Sequence, residues 1–363
     1  MTNNRTTRAD GASWMIYGAN GYTGLRIARQ AKAQGMRPVL AGRNPQAIKA
    51  LAAEMDLPWA AFDLNDADAS RKALQGVSMV AHCAGPYSAT SAQMLDACIA
   101  VGCHYVDLCG EIDVMAAAQA RDAAARAAGI VILAGAGFDV IPTDSLAATL
   151  KQALPDATHL VLGFTGLDEL SPGTAKASLE GIGKAMSKVR ENGELIDIAQ
   201  FSRSRPLDFG DGKGTVAGVN IPWADVFTAY FSTGIPNIEV YIPPSSAVAR
   251  SMSQLRLIMP LLRYQWVIKL LKRVVGATMK GPGQALIDNG TCHLVGEVRN
   301  AKGEVRRARM STPNGYRLTV DGMLMAVTFL LENPEHKGFH TPTMLMGADC
   351  VERLPGVSPI AFS

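Results

Sequence analysis

Three glycines spaced three residues apart, in Gly18-Ala19-Asn20-Gly21-Tyr22-Thr23-Gly24, follow the short apolar run Trp14 to Tyr17 and precede an amphipathic stretch from Leu25 to Gln34. Without Cβ atoms the backbone can approach a pyrophosphate and turn amide N–H groups at a helix N-terminus toward it. All seven turn residues are candidate contacts to a dinucleotide; a tight turn without a ligand is the plainer alternative. A second apolar run, Pro38 to Ala41, ends at Gly42-Arg43-Asn44. A site for NAD places a carboxylate at that strand end to hold the ribose 2′-OH, and none is present. Arg43 offers a permanently charged, planar fork for a 2′-phosphate, with Asn44 beside it, so the sequence selects NADP(H). Asp63, at the end of the third expected strand, reads either as an acceptor for the adenine amino group or as an exposed loop aspartate.

A second set of candidates lies at later strand ends. Ala84-Gly85-Pro86-Tyr87 closes the fourth strand, where a doubly wound sheet opens its switch-point crevice, so its backbone should line the nicotinamide side and Tyr87 could donate a proton. Tyr105, Asp107 and Glu111 bracket the next strand end, where a phenol and carboxylates could hold a substrate or relay a proton. Each has a structural alternative: Tyr105 as core, Asp107 as a helix cap, Glu111 as a carboxylate in a first helical turn. His82 and His104, in or beside apolar strands, read as core histidines, and Lys176 and Lys184 as solvated helix lysines or contacts to a phosphopantetheine or carboxylate. The six cysteines show no CxxC and no Cys/His spacing suited to zinc, so no metal site is expected.

The elements that must position these residues alternate. After the first βαβ unit come a strand at Trp59 to Phe62, a helix near Ala67 to Leu74, a strand at Ser78 to Cys83, a helix near Ser91 to Ala100, a strand at Tyr105 to Leu108, a helix near Val114 to Ala128 and a strand at Ile130 to Ala134. This predicts an α/β fold with an N-terminal Rossmann-type, doubly wound parallel sheet over 1–142. Residues 143–363 read as a second α+β domain for substrate or dimerisation, whose C-terminal segment packs back on the first. Within it we expect short strands at His159 to Phe164 and Ile238 to Ile242, a glycine-punctuated helix from about Thr174 to Arg190, a hairpin of Cys292 to Val298 with Glu304 to Met310, and a helix over Tyr316 to Glu332.

The 363 residues are 48% hydrophobic and 18% charged, with a formal net charge of +3, which excludes disorder and gives no footprint for nucleic acid. The polar start shows no secretory leader and no apolar run is long enough to span a bilayer, so a cytoplasmic protein is expected. One local exception is the stretch 250–280. Arg250, Arg256, Arg263, Lys269, Lys272, Arg273 and Lys280 fall between Glu239 and Asp288 with no acidic residue among them, around the apolar Leu255 to Val275. It reads as a peripheral membrane element or a docking surface for an acidic acyl carrier, and equally as a homodimer interface or a core-covering helix with cationic tips.

Taken together, these residues resemble the saccharopine dehydrogenase-like oxidoreductases, and within them the trans-acting enoyl reductase branch. Besides Gly18 to Gly24 and Ala41-Gly42-Arg43, the resemblance rests on Cys83-Ala84-Gly85-Pro86-Tyr87, His104-Tyr105-Val106-Asp107-Leu108-Cys109-Gly110-Glu111, Gly137-Phe138-Asp139-Val140-Ile141-Pro142-Thr143-Asp144, Ser171-Pro172-Gly173-Thr174, Gly281-Pro282, Thr312-Pro313-Asn314-Gly315-Tyr316 and Gly338-Phe339-His340-Thr341-Pro342. It implies a Rossmann domain, a second domain that covers the nicotinamide, and NADP-dependent reduction or oxidation of C–C, C–N or C–O bonds. The expected activity is reduction of an activated apolar acyl substrate, small or carrier-bound, such as an enoyl thioester. The alternatives are a C–N dehydrogenase of an amino-acid conjugate, for which Arg203 and Arg205 would recognise the substrate, and an NADP-binding scaffold or membrane-surface protein without catalysis.

Replacing Arg43 by Ala is expected to weaken NADPH binding on the order of 10- to 100-fold while leaving NADH affinity alone, as read by fluorescence titration. An NADPH affinity untouched by the substitution would refute the assignment.

Overall fold

The computed structural model describes residues 13–166, 175, 186–199, 201–243, 265–278 and 283–363. Lys176, Lys184, Ser171 to Thr174, Gly281-Pro282 and the whole stretch 250–264 lie outside them. The chain divides into two units, Met1–Ile141 with Leu318–Cys350, and Pro142–Arg317 with Val351–Ser363. The span 143–363 is therefore not one continuous body, since Leu318–Cys350 goes with the first unit.

In the first unit, β1 (Trp14–Tyr17), α1 (Tyr22–Ala33), β2 (Val39–Gly42), α2 (Pro45–Met55), β3 (Trp59–Ala61), α3 (Ala67–Leu74), β4 (Met79–His82), α4 (Ser91–Val101), β5 (His104–Asp107), α5 (Ile112–Gln119), α6 (Asp122–Ala128) and β6 (Val131–Leu133) alternate along the chain. A further strand, Gly338–His340, pairs with β6. The seven strands run in the order 338–340, β6, β5, β4, β1, β2, β3, and every pairing is parallel. Strand order reverses between β1 and β4, which is where such a sheet opens a ligand crevice. β1, β2, β4, β5 and β6 are buried on both faces, so their near-continuous apolar runs suit a sheet covered by helices on either side.

The single helix expected near Val114 to Ala128 is two helices. It breaks at Ala120-Arg121, where the Arg121 guanidinium donates to Asp96 (2.9 Å) and to the Ala117 carbonyl (2.9 Å). The restart brings Asp122 round so that its carboxylate accepts the Phe339 N–H (2.7 Å) and ties the seventh strand to the sheet.

The second unit holds α7 (Ile141–Ala153), β7 (Ala157–Phe164), β8 (Met186–Glu191), β9 (Glu194–Ala199), β10 (Ser204–Asp208), β11 (Thr215–Asn220), α8 (Asp225–Thr233), β12 (Asn237–Ile242), and the hairpin β13 (Thr291–Asn300) with β14 (Val305–Pro313). Its mixed sheet runs β10, β11, β12, β7, β13, β14, then the short strand Ala361–Phe362; β8 joins at β12 and carries β9. Residues 186–190 are thus strand, where a helix was expected. Ser187 and Val189 alternate inward, and Asn192-Gly193, both at positive φ, is the two-residue turn that joins β8 to β9.

One face of this sheet buries Leu160, Leu162, Ile238, Val240, Leu294 and Val298. α7 lies so close over β13 that a Cβ on Gly296 would come within 2.5 Å of Leu150 Cδ1. On the other face Val161, Leu207, Phe209, Tyr241 and Val295 form a small core. Leu207 of edge strand β10 reaches over Gly163 of β7, so the sheet curls on itself, and ion pairs Arg205–Glu297 and Arg309–Asp208 join β10 to β13 and β14. α7 is held to α8 by buried polar bonds: Thr143 Oγ1 donates to Asp225 Oδ2 (2.8 Å) and Ser232 Oγ to Asp144 Oδ1 (2.5 Å).

Thr143→Val keeps the shape and removes the donor, taking one hydrogen bond from a buried carboxylate. It should lower stability by about 1–3 kcal/mol in urea unfolding; an unchanged midpoint would show that the bond contributes nothing.

Candidate functional site

The turn after β1 is fixed before any ligand arrives. Gly18 and Ala19 both donate to the Ala41 carbonyl at the end of β2 (2.8 and 3.0 Å), and Gly21 donates back to Gly18 (2.9 Å). Gly18 sits at φ +87, and a Cβ there would be 2.9 Å from Ala84 N; one on Gly24 would overlap the Gly18 carbonyl oxygen. Both positions therefore require glycine, for backbone conformation and for close approach. Gly21 begins α1 in extended conformation, and among the described residues no side chain caps the helix. The positive end of its helix dipole is thus open to an external acceptor.

At the end of β2 the Arg43 side chain is exposed, and no carboxylate among the described residues ion-pairs with it. Asn44, expected as a cofactor contact, is the N-cap of α2: its Oδ1 accepts from Ala47 N (3.1 Å), with Pro45 at the first helical position. Asp63 is partly buried, and its Oδ1 accepts from Asn65 N and Nδ2 (2.9 and 2.8 Å). Burial and the Asp63 charge push the Tyr17 hydroxyl up to about 12, against the opposing charge of Arg43. Arg43 and Asp63 thus share one corner of the sheet, at the Tyr17 hydroxyl.

Beyond β4 the loop Ala84-Gly85-Pro86-Tyr87, with a cis bond at Gly85-Pro86, is clamped by Thr90. Thr90 Oγ1 donates to the Ala84 carbonyl (2.7 Å), so it accepts from His82 Nε2 (3.0 Å). Burial pushes His82 down to about 3, so the ring is neutral and structural, and its Nδ1 has no partner among the described residues. Tyr87 is half-buried: its hydroxyl donates to the His82 carbonyl (3.3 Å), and its N–H donates to Glu111 Oε1 (3.3 Å). The structure brings Tyr87 and Glu111 together beyond the ends of β4 and β5.

Tyr105 and Asp107 lie deeper. Tyr105 donates to Asp107 Oδ2 (2.6 Å) and accepts from Ser91 (3.0 Å); Asp107 Oδ1 takes the N–H groups of Cys109 and Gly135 (2.9 Å each). Both are fully buried, so the pair staples the end of β5 to the end of β6. Burial raises Asp107 to about 6, although each of these bonds opposes the rise. His104 Nδ1 accepts from Val131 N (2.9 Å), as a core histidine does.

Asp139, noted in the sequence only within its motif, joins the candidate site. It follows β6, and its carboxylate lies over Gly110, where a Cβ would meet Oδ2 at 2.7 Å. Among the described residues no hydrogen bond holds either of its oxygens, and burial pushes the carboxyl up to about 7. Gly110 stands between Cys109 and Glu111, so Asp139, Glu111 and Tyr87 gather at three neighbouring strand ends. The signal in the sequence was a carboxylate just past the end of a parallel strand.

Residues 14–133 match the family model described as the saccharopine dehydrogenase NADP binding domain. The chain is 29% identical over 216 residues to a mitochondrial saccharopine dehydrogenase-like oxidoreductase of Arabidopsis thaliana, covering 53% of this chain and 45% of the relative. It is 30% identical over 212 residues to a Mycobacterium tuberculosis protein named as a trans-acting enoyl reductase, covering 53% and 49%. The chain spans about half the length of the curated relatives it matches. Apo saccharopine dehydrogenase (L-Glu forming) from Saccharomyces cerevisiae shares the fold, with a TM-score of 0.61 at 12% identity over 97% of this chain and all of that one. Residues 14–133 thus resemble the NADP binding domain of saccharopine dehydrogenase. The glycine cradle, the uncapped α1 and the unpaired Arg43 fit that cofactor.

Because the folded protein holds the Asp139 proton more tightly than the unfolded chain, that proton stabilises the fold below about pH 4, and the gain is lost as pH rises through about 7. Asp107 acts in the same sense. Asp139→Asn should flatten this decline and raise stability at pH 8 over the parent by on the order of a few kcal/mol, measured by urea unfolding at pH 5 and pH 8. An unaltered pH dependence would mean that the carboxyl is not desolvated.

Proposed function

We propose that this chain is an NADPH-dependent reductase of an activated, apolar acyl substrate, and that the substrate is an enoyl thioester. The observation that carries the reading is the pairing of an NADP-type cradle with a proton-holding carboxyl, Asp139, at the neighbouring strand ends. The likeness to a relative named as a trans-acting enoyl reductase supports it.

NADPH, when bound, supplies a hydride. The chain's own residues have three tasks. Gly18 to Gly24 and the first amides of α1 hold the pyrophosphate, and Arg43 the 2′-phosphate. Ala84 to Tyr87, locked by Thr90, gives the crevice a fixed wall, because orientation supplies much of the rate in such a transfer. One proton must reach the carbon that becomes negative when hydride adds to the conjugated double bond. Asp139 keeps its proton near neutral pH, whereas the buried Tyr87 hydroxyl is pushed well above its ordinary range and Asp107 is enclosed. Asp139 is therefore the donor in this reading, and Glu111, by receiving the Tyr87 N–H, positions the wall.

The C–N dehydrogenase alternative needs free arginines to take substrate carboxylates. Arg203 is ion-paired with Glu191 and Glu239, and Arg205 with Glu297, so neither is at liberty to take a substrate carboxylate.

With an enoyl thioester the protein should consume NADPH, and deuterium from the labelled nicotinamide should appear at the β-carbon of the product. Asp139→Asn should lower kcat on the order of 100-fold with NADPH affinity unchanged. Tight NADPH binding with no turnover of enoyl thioesters, ketones or imines would remove the reductase and leave a binding protein.

A further inference from the structure

We infer that the helix α9 (Gln265–Thr278) docks on an anionic membrane surface, lying in the plane of the interface. The helix is rooted on one side, where Ile268 is buried and Val267, Leu271 and Val275 are partly covered. Along one edge of this seam Leu270 and Val274, one turn apart, are 52% and 49% exposed, with Arg273 exposed beside them. The other large exposed apolar side chains among the described residues are Trp59, Met186, Met344 and Phe362, each on a different element. Only α9 presents two on one helical face.

In the sequence, the charge on either side of this helix has one sign. Between Glu239 and Asp288 the sequence places seven Lys and Arg residues and no Asp or Glu, in a chain whose net charge is only +3. A helix that combines a bare aliphatic ridge with local positive charge matches the boundary of an anionic bilayer, where acyl chains take the aliphatics and headgroups the cations. Fourteen residues extend about 21 Å, short of the roughly 30 Å of a hydrocarbon core, so the helix lies on the membrane rather than across it. No described helix is long and apolar enough to cross one. A second copy of the chain would bring the same cations face to face, at an electrostatic cost. An acidic carrier protein would answer the cations but not the two bare aliphatic side chains.

The test is co-sedimentation of the full chain with vesicles of phosphatidylglycerol and phosphatidylcholine, against vesicles of phosphatidylcholine alone, at low and high salt. The parent should partition onto the anionic vesicles and leave them as salt rises. Leu270→Asp with Val274→Asp, and separately Arg273→Glu, should each lower the partition coefficient on the order of tenfold or more, while NADPH titration shows the same affinity as the parent. Absence of binding to the anionic vesicles, or binding that these substitutions leave unchanged, overturns the inference. A self-association in sedimentation equilibrium that the same substitutions abolish reassigns the face to a second copy, and capture of an acidic acyl carrier protein in place of vesicles reassigns it to that partner; either result overturns it too.

Discussion

The first unit is organised around a backbone that comes too close to itself to tolerate side chains. Gly24 packs on the carbonyl of Gly18, Gly18 packs on the amide of Ala84, and the Ala41 carbonyl holds the first two residues of the turn. Three strand ends, those of β1, β2 and β4, are thereby locked into one crevice rim. The helix dipole of α1, the guanidinium of Arg43 and the wall from Ala84 to Tyr87 all take their places from this contact. A methyl group at either glycine would separate the parts before it touched any ligand.

A second lock of different chemistry lies one strand further on. Asp107 gathers a phenol and two backbone amides, and its burial is tolerated because each bond meets a real donor. This frees Asp139, on the next loop, from structural duty. One carboxyl is filled with donors and the other has none among the described residues, and burial raises both above the ordinary carboxylate range.

What the sequence made legible followed the range of the determining interaction. The glycine turn, Arg43 and the alternation of strands and helices depend on neighbours within a few tens of residues, and period and composition display them directly. The strand over 186–191 was obscured because glycine and helix-compatible residues precede it, although Asn192-Gly193 marks its hairpin. Asp139 was obscured for another reason: its importance comes from lying over Gly110, on a different strand end, and nothing local to Gly137-Phe138-Asp139 announces that neighbour. Tyr105 and Asp107 were placed correctly along the chain, but their depth depends on the enclosing helices, which periodicity alone does not reveal.

The seventh strand, Gly338–His340, joins β6 from far along the chain, and the bond between Phe339 and Asp122 links residues 217 apart in sequence. During synthesis the cofactor-binding sheet therefore leaves the ribosome with one edge bare, and the whole second unit up to Arg317 emerges before that edge is covered. An unfinished chain offers an unpaired, apolar β6 to any other strand nearby. A chain that ends before Gly338 lacks the strand that covers the β6 edge of its first unit.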